Sequence, residues 1–211
     1  MEIEVSFLSS NYSSVETIDR INNTDVEFIH IDVMDGIFVN NKTMPTNELV
    51  NLLKNTNKKL DIHLMVEDVE KYVNELSILK PNNITFHIEL ESNVNLMKYI
   101  NLIKKLDCNV GLAINPDTDI NKINPYLPFI NQVLIMSVYP GQGGQVFIPS
   151  VLEKVSYLNK VKDSYNIKIN IDGGINDKTI KIVRDYNLDY VVSGSFICKS
   201  DNYQNQIDLL K

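Results

Sequence analysis

The sequence predicts a single α/β domain over residues 1–211, folded as a (β/α)8 TIM barrel. Short runs rich in β-branched residues alternate with segments of helical periodicity, which is typical of a parallel sheet with helical crossovers. Eight such runs are enough to close a barrel, and 211 residues is near the lower size limit of that fold. The runs are residues 4–8, 27–33, 60–66, 83–88, 110–114, 133–137, 167–171 and 190–193.

The competing architecture is an open, doubly wound sheet, in which a glycine-rich turn follows the first strand. Here the first predicted strand runs into Ser9, Ser10 and Asn11, with no glycine. The barrel is therefore favoured over the open sheet.

Helical periodicity is clearest in five segments between the strands. Pro149 and Asn176 supply helix-start chemistry for the last two of them. Three prolines occur within residues 116–128, so any helix there must be short or broken. The five segments are residues 46–54, 68–79, 93–106, 151–165 and 177–186.

Composition indicates a soluble, cytoplasmic protein that binds neither nucleic acid nor membrane. The net charge of -7 disfavours a nucleic-acid footprint, which would be basic. No stretch approaches the ~20 apolar residues of a membrane span. The acidic start of the chain lacks the basic region and apolar run of a secretory signal. The two cysteines, Cys108 and Cys198, are too few for a disulfide scaffold.

Arginine is scarce, which bears on how the chain would bind an anion. Of the 20 basic residues, only Arg20 and Arg184 are arginine. A phosphate or carboxylate would therefore be bound without the bidentate fork of arginine, by backbone N–H groups, a metal ion or lysine.

Polar side chains occur at the ends of three predicted strands, where a barrel builds its active site. His30 and Asp32 share one face of the second strand, because side chains alternate along a strand. His63 lies in the third strand, and Asp172 ends the seventh. Each residue alone is explained as a hydrogen-bonded strand residue. Together they form a mixed N/O set that suits Zn²⁺, and also Fe²⁺, Mn²⁺ or Co²⁺.

The third histidine, His87, ends the fourth predicted strand. It is a candidate metal ligand, a candidate substrate contact and a candidate partner of a ligand. A hydrogen-bonded residue of the barrel wall is an equally good interpretation, and the sequence leaves these alternatives open.

Glycine-rich loops follow the last three predicted strands, at residues 139–145, 172–174 and 193–195. In barrels, the loops after the seventh and eighth strands often bind phosphate, together with a short helix. The loop 139–145 can approach a ligand with its backbone or move as a lid. Backbone N–H groups in these loops would make up for the scarcity of arginine.

Three methionines, Met34, Met65 and Met136, also fall near strand ends. Methionine usually fills gaps in a core. The alternative is an apolar cap over the metal, which would shelter a reactive intermediate from water.

Five segments, in order along the chain, carry a family resemblance. They are VSFLS at 5–9, HIDVMDG at 30–36, DIHLMV at 61–66, MSVYPGQGGQ at 136–145 and DGGI at 172–175. Together they resemble the ribulose-phosphate 3-epimerase family over essentially the whole chain. The second and third segments are specific signatures, whereas the glycine loops alone would not be.

The resemblance implies a barrel isomerase of the pentose phosphate pathway that interconverts D-ribulose 5-phosphate and D-xylulose 5-phosphate by inverting C3. It also implies one divalent metal ion, Zn²⁺ in the first place, and no organic cofactor. The implied metal ligands are His30, Asp32, His63 and Asp172, of which Asp32 and Asp172 are also the acid–base pair. The implied substrate contacts, chiefly to the phosphate, are Ser6, His63, Gly141, Gln142, Gly143, Gly144, Gly173, Gly174, Gly194 and Ser195.

The chemistry of such an inversion fits these residues. A carbon next to a carbonyl is inverted when its proton is removed on one face and another is returned on the opposite face. Asp32 on the second strand and Asp172 on the seventh would lie on opposite sides of the barrel mouth. A metal held by both would stabilise the enediolate between the two proton transfers.

Two residues of the loop 139–145, Tyr139 and Gln142, depart from the family pattern. This loop closes over the substrate in the family, so the sugar phosphate is open. The alternative is a sister 3-epimerase that acts on a hexulose phosphate such as D-allulose 6-phosphate.

A non-catalytic sugar-phosphate-binding barrel would be expected to have lost Asp32 or Asp172, and both are present. Related synthases and decarboxylases would resemble an Asp-x-Lys-x-x-Asp motif in the third strand, where this chain has DIHLM at 61–65, without lysine. We expect a homo-oligomer.

Overall fold

Eight parallel strands form a closed barrel in chain order, with the last strand hydrogen-bonded to the first. The structure is a computed structural model that describes residues 1–92 and 94–211. The strands are β1 (Glu2–Ser6), β2 (Phe28–Met34), β3 (Lys59–Met65), β4 (Asn83–His87), β5 (Asn109–Ile114), β6 (Gln132–Met136), β7 (Lys168–Asp172) and β8 (Tyr190–Ser193). This architecture confirms the fold class predicted from the sequence.

Helices cover the outside of the barrel and connect the strands. They are α1 (Ser14–Asn22), α2 (Thr46–Leu53), α3 (Val69–Leu76), α4 (Leu96–Lys104), α5 (Leu152–Asn159), α6 (Lys162–Tyr165), α7 (Ile180–Val183), α8 (Ser195–Cys198) and α9 (Tyr203–Leu210). Short 3₁₀ segments lie at Ser77–Leu79, Ile88–Ser92, Ile120–Phe129 and Pro149–Val151.

The two faces of each strand meet different surroundings, as the alternation of residues in β2 illustrates. Ile29, Ile31 and Val33 belong to the large apolar core between the barrel and its helices. His30 and Asp32 instead contact polar side chains from other strands inside the barrel. The alternation therefore carries the polar residues inward, which is where the sequence analysis expects the site.

The predicted helices are present, but each is shorter than predicted or interrupted. The helix expected over 151–165 breaks after Asn159, and the one expected over 177–186 is reduced to α7. Asn176 does start the turn before α7, because its side-chain oxygen accepts hydrogen bonds from the backbone N–H groups of Lys178 and Thr179. Helix α4 begins at Leu96, and the residue where its start is predicted, Asn93, lies outside the described residues. The proline-containing stretch forms a 3₁₀ segment, as expected.

Two features of the first βα unit differ from the expectation. Strand β1 ends at Ser6, the last of its residues that pairs with β2, so the predicted residues 7–8 lie outside the strand. Helix α1 is not among the clearest helical segments of the sequence. Its start is nevertheless marked by Ser13, whose hydroxyl accepts a hydrogen bond from Glu16 N at 3.3 Å.

The cysteines and helices agree with the compositional analysis. Cys108 and Cys198 are both buried free thiols, and burial raises the pKa of each to about 12. Neither therefore provides a reactive thiolate near neutral pH. Within the described residues, no helix is long and apolar enough to cross a membrane.

The amino-terminal end of the barrel is held together by Asp189, just before β8. One carboxylate oxygen accepts hydrogen bonds from Lys162 Nζ and Ile169 N, both at 3.0 Å, and the other accepts one from Lys168 Nζ at 2.9 Å. The Lys162 side chain is only 9% exposed, so water screens this ion pair poorly. Partial burial raises the pKa of Asp189, but these hydrogen bonds outweigh it and lower the pKa below its usual value.

We predict that Asp189→Asn lowers the free energy of unfolding by about 2 kcal/mol at pH 7, because Lys162 loses its charged partner. The pKa of Asp189 is depressed in the folded state, so its contribution is complete above the unfolded-state pKa and disappears as the pH falls through the folded-state pKa. Urea unfolding of both proteins between pH 7 and pH 2 measures this difference. The exposed Asp185→Asn is the matched control. An equal loss of stability at every pH would contradict the assignment.

Candidate active site

Four side chains converge at the carboxyl ends of β2, β3 and β7. His30 Nε2 lies 3.5 Å from Asp32 Oδ1 and 3.9 Å from Asp172 Oδ2. His63 Nδ1 lies 3.1 Å from the same Asp32 oxygen. One ligand atom from each of the four lies within 4.8 Å of the others. The fold thus brings together the four residues that the sequence analysis treats as one set.

His30 is fully buried between two groups of carboxylates. Its Nδ1 faces Asp61 Oδ2 at 3.3 Å and Glu4 Oε2 at 3.4 Å. Its Nε2 has no hydrogen-bond partner among the described residues. Burial alone lowers the pKa of an imidazole, but the charge of Asp32 and hydrogen bonds to the surrounding carboxylates raise the pKa of His30 well above its usual value. The surrounding carboxylates therefore favour the protonated ring when no metal is bound.

Asp32 is held from three sides. The Ser6 hydroxyl donates a hydrogen bond to Oδ2 at 2.8 Å, while Oδ1 faces the rings of His30 and His63. Burial would raise the pKa of Asp32, but the charge of His30 and the close contacts with both imidazoles outweigh it and hold the pKa below its usual range. Asp32 is therefore an ionised and firmly oriented carboxylate.

Asp172 differs from Asp32 although both belong to the same cluster. Its side chain is 16% exposed, and it lines the cavity above the barrel. Burial and the charge of Asp32 raise the pKa of Asp172 to about 7, with the charge of His30 opposing them. In the metal-free protein the two carboxyl groups thus favour different protonation states, a pattern that commonly separates an acid from a base.

His63 uses both of its ring nitrogens. Its Nδ1 faces Asp32, and its Nε2 lies 2.8 Å from His87 Nε2. The other nitrogen of His87, Nδ1, lies 2.9 Å from Glu89 Oε2. His87 is not in the four-residue cluster formed by the described residues. Of the alternatives left open for His87, its position matches that of a partner of a ligand.

A cavity lies above the cluster at the carboxyl end of the barrel. Nearly every residue expected to contact substrate lines it, whereas His63 lies buried behind Asp32. The described lining includes no lysine or arginine, so an anion there would have to be bound by backbone N–H groups, hydroxyls or a metal. The expected residues that line the cavity are Ser6, Gly141, Gln142, Gly143, Gly144, Gly173, Gly174, Gly194 and Ser195.

The loop after β6, residues 139–145, is folded down onto its neighbours. Asn41 Nδ2 donates a hydrogen bond to Gly141 O at 2.6 Å, and a Cβ atom on Gly143 would lie only 2.0 Å from Ser9 Oγ. Glycine at 143 therefore permits the close approach of the two loops. Tyr139 and Gln142, the two residues that depart from the family pattern, have exposed side chains in this arrangement.

Two of the three methionines expected as an apolar cap line the cavity. Met65 and Met136 are each 2% exposed and stand beside the carboxylates of the cluster. Met34 is equally buried but is not part of the described cavity lining. The backbone N–H of Met34 donates a hydrogen bond to Thr43 Oγ1 at 3.1 Å, which connects β2 to the loop that follows it.

The sequence analysis missed three acidic residues that support the cluster, namely Glu4, Asp61 and Glu89. The first two contact His30 inside the barrel, and the third contacts His87. A signal was available, because Glu4 lies two residues before Ser6 and Asp61 two before His63, on the same strand faces.

The residues of the cluster fit a divalent metal ion. Two imidazoles and two carboxylates are a donor set that Zn²⁺ and related ions accept, and His30 Nε2 points into the cluster without a partner among the described residues. The carboxylates also need positive charge nearby. The one buried lysine or arginine among the described residues, Lys162, pairs with Asp189 at the other end of the barrel.

Comparison with known proteins decides the family. The sequence profile of the Ribulose-phosphate 3 epimerase family matches residues 2–198. The ribulose-phosphate 3-epimerase of Helicobacter pylori (strain ATCC 700392 / 26695) is 37% identical over 214 residues, covering 100% of this chain and 97% of that protein.

The chain belongs to the ribulose-phosphate 3-epimerase family.

A second, less similar member of the ribulose-phosphate 3-epimerase family supports the same family assignment. The ribulose-phosphate 3-epimerase of Methanocaldococcus jannaschii is 34% identical over 214 residues, covering 100% of this chain and 90% of that protein. As a member of this family, the chain is a sugar-phosphate epimerase, an isomerase that acts on carbohydrates.

Solved structures confirm the barrel independently of the epimerase sequences. The crystal structure of 3-hexulose-6-phosphate synthase from Salmonella typhimurium superimposes with a TM-score of 0.72, covering 100% of this chain and 96% of that chain. The two sequences are 13% identical, so this similarity concerns the fold alone.

Proposed function

We propose that this epimerase interconverts D-ribulose 5-phosphate and D-xylulose 5-phosphate by two-base proton transfer at C3, with one bound divalent metal ion. The observation that carries the proposal is the placement of Asp32 and Asp172. They lie toward the carboxyl ends of β2 and β7, which are three positions apart around a ring of eight, and both contact the same imidazole, that of His30. A substrate carbon held between them would face one carboxyl group on each side.

The proton transfers follow from this placement. One carboxylate removes the C3 proton of the bound ketose phosphate, next to the C2 carbonyl. The other carboxyl group then donates its proton to the opposite face of C3, which inverts the centre, and the two groups exchange roles in the reverse direction. The Ser6 hydroxyl keeps Asp32 aimed at this position through a hydrogen bond of 2.8 Å.

His30, Asp32, His63 and Asp172 would hold the metal, Zn²⁺ in the first place and Fe²⁺, Mn²⁺ or Co²⁺ as alternatives. When bound, the ion supplies positive charge that offsets the negative charge developing on the substrate oxygens at C2 and C3. Met65 and Met136 exclude water from the side of the carboxylates. No organic cofactor is proposed.

We assign the phosphate to the glycine loops. Gly173, Gly174, Gly194 and Ser195 line one side of the cavity, while the loop 139–145 covers another. Arg20 pairs with Glu16, and Arg184 is exposed, so neither supplies a guanidinium there. Backbone N–H groups are therefore the donors proposed for the phosphate. The cytoplasmic location and the homo-oligomer stay predictions from the sequence.

We predict that D-ribulose 5-phosphate is turned over with a kcat/KM on the order of 10-fold or more above that of D-allulose 6-phosphate, because the cavity has to accommodate one carbon fewer. NMR of the reaction mixtures measures both rates. Preference for the hexulose phosphate would contradict the substrate assignment while leaving the two-base chemistry in place, and Tyr139 and Gln142 would be the first residues to exchange.

We predict that Asp172→Asn reduces kcat by on the order of 100- to 10,000-fold, because it removes one of the two acid–base groups. The fold should survive, since the backbone carbonyl oxygen of Asp172, which the substitution keeps, accepts the hydrogen bonds from Ser137 N at 2.7 Å and from the Ser137 hydroxyl at 2.9 Å. The matched control is Asp185→Asn, the same change at an exposed position. Turnover within a few-fold of the unmodified protein would exclude the proposed role of Asp172.

We predict that removal of metal by a chelator lowers kcat by on the order of 100-fold or more, and that added Zn²⁺ restores it. Metal binding should also release protons, because the carboxylates around His30 favour its protonated ring when no metal is bound, and the ring binds a metal only when neutral. Titration calorimetry in two buffers of different ionisation enthalpy measures this release. Full activity in protein shown by elemental analysis to be metal-free would contradict the ligand assignment.

A further inference from the structure

His87 is a fully buried histidine that the proposed mechanism does not use. It ends β4, next to β3, and its ring stacks on that of His63 with centroids 5.0 Å apart. The Nε2 atoms of the two rings are 2.8 Å apart, so one of them donates a hydrogen and the other accepts it. Which ring donates determines which nitrogen of His63 is free to bind a metal.

Glu89 settles the direction of this hydrogen bond. Its Oε2 lies 2.9 Å from His87 Nδ1, and a carboxylate at that distance requires a proton on the nitrogen. A neutral His87 that carries its proton on Nδ1 has a lone pair on Nε2. His63 must then donate from its own Nε2, so its Nδ1, which faces Asp32 and the metal cluster, is the nitrogen left to bind a metal. A bound metal would take the place of any hydrogen between Nδ1 and Asp32 Oδ1, which lies 3.1 Å away.

The Glu89 carboxylate is itself fixed in place. Its Oε1 accepts hydrogen bonds from Asn115 N at 2.9 Å and from the Thr118 hydroxyl at 2.6 Å. Lys154 Nζ in turn donates to the carbonyl oxygens of Asn115 and Thr118, at 2.5 and 2.6 Å, and so fixes the loop after β5. Burial raises the pKa of Glu89, but the hydrogen bonds from His87 and Thr118 outweigh it and lower the pKa to about 2.

We propose that His87 and Glu89 are positioning residues, which fix the His63 tautomer and ring orientation so that the Nδ1 lone pair points at the metal. The inference rests on the proposed function, because it assumes that the four-residue cluster binds a metal. Carboxylate partners of metal-binding histidines commonly account for a 10- to 100-fold change in metal affinity. Here the carboxylate acts through a second imidazole.

The substitution Glu89→Gln tests this arrangement sharply. Only the amide oxygen can accept the hydrogen bond from Asn115 N, so the NH₂ group must face His87 Nδ1. The His87 proton then moves to Nε2, His87 becomes the donor to His63, and the His63 proton moves to Nδ1. An isosteric change at Glu89 would thus block the metal-binding nitrogen of His63 without removing any atom from the metal cluster.

Nitrogen-15 NMR of the Zn²⁺-loaded protein, which has three histidines, reads the tautomers directly. We expect His87 to carry its proton on Nδ1 and to donate to Glu89, with a proton on Nε2 of His63. In Glu89→Gln the His87 proton should move to Nε2, and Zn²⁺ affinity in competition with a chromophoric chelator should fall by about 10- to 100-fold. Thr85→Val is the matched control, because this residue lies on the same strand and its buried hydroxyl has no hydrogen-bond partner among the described residues.

Unchanged Zn²⁺ affinity in Glu89→Gln, or a neutral His87 with its proton on Nε2 in the unmodified protein, would overturn the proposal. Should Glu89→Gln not fold, His87→Gln and His87→Leu supply the comparison, since only glutamine can still accept from His63, and it should retain the tighter metal binding. The result is separable from the proposed function. Weaker metal binding in Glu89→Gln supports the positioning role even if ribulose 5-phosphate is not turned over, whereas unchanged affinity in an active epimerase rejects the positioning role alone.

Discussion

The placement of the His30 imidazole between carboxylates is the interaction on which the rest of the site depends. Asp61 and Glu4 lie against one nitrogen, and Asp32 and Asp172 lie on the side of the other. Such a concentration of carboxylates inside a barrel is costly unless positive charge is close. The described interior has no buried lysine or arginine at this end, so the imidazoles, and a cation where one is bound, supply that charge. The cluster thus suits a bound cation on grounds of charge as well as of ligand chemistry.

The same constraint explains why both histidines of the cluster have acidic partners. His30 contacts Asp61 and Glu4 directly, whereas His63 reaches Glu89 through His87. In each case one ring nitrogen is engaged away from the cluster, so the other is aimed into it. Burial and the charge of Asp61 raise the pKa of Glu4 to about 8, so this side chain is chiefly a neutral acid at pH 7 and adds little negative charge beneath His30. Preorganisation of this kind holds the ligands in place before any metal or substrate arrives.

Much of this arrangement could be predicted from the sequence, because it follows from alternation. The period of two in β2 places His30 and Asp32 together, and eight strands in sequence predict where their ends meet. The contacts between neighbouring strands could not be predicted in the same way. They depend on the register of each strand pair, and the register of β2 and β3 places Asp61 beside His30. The approach of Gly143 to Ser9 depends likewise on how two loops fold over the mouth.

The bounds of the helices were predicted less accurately than the positions of the strands. Helical periodicity predicts where a helix lies, but it does not mark where the helix breaks or ends. The segment predicted over 151–165 breaks into α5 and α6, and the one after Asn176 keeps a single short helix. None of these differences moves a residue of the site, because the strands rather than the helices carry the site.

Solvent-deuterium incorporation at C3 tests the two-base account most directly. The metal-loaded protein would be given D-ribulose 5-phosphate in D₂O, and both ketose phosphates would be examined by NMR at low conversion. Two separate acid–base groups predict a D-xylulose 5-phosphate that carries deuterium at C3 while the remaining substrate still carries hydrogen. A product that retains the substrate's own hydrogen at C3 would show that one group returns the proton it removed, and would contradict the roles of Asp32 and Asp172.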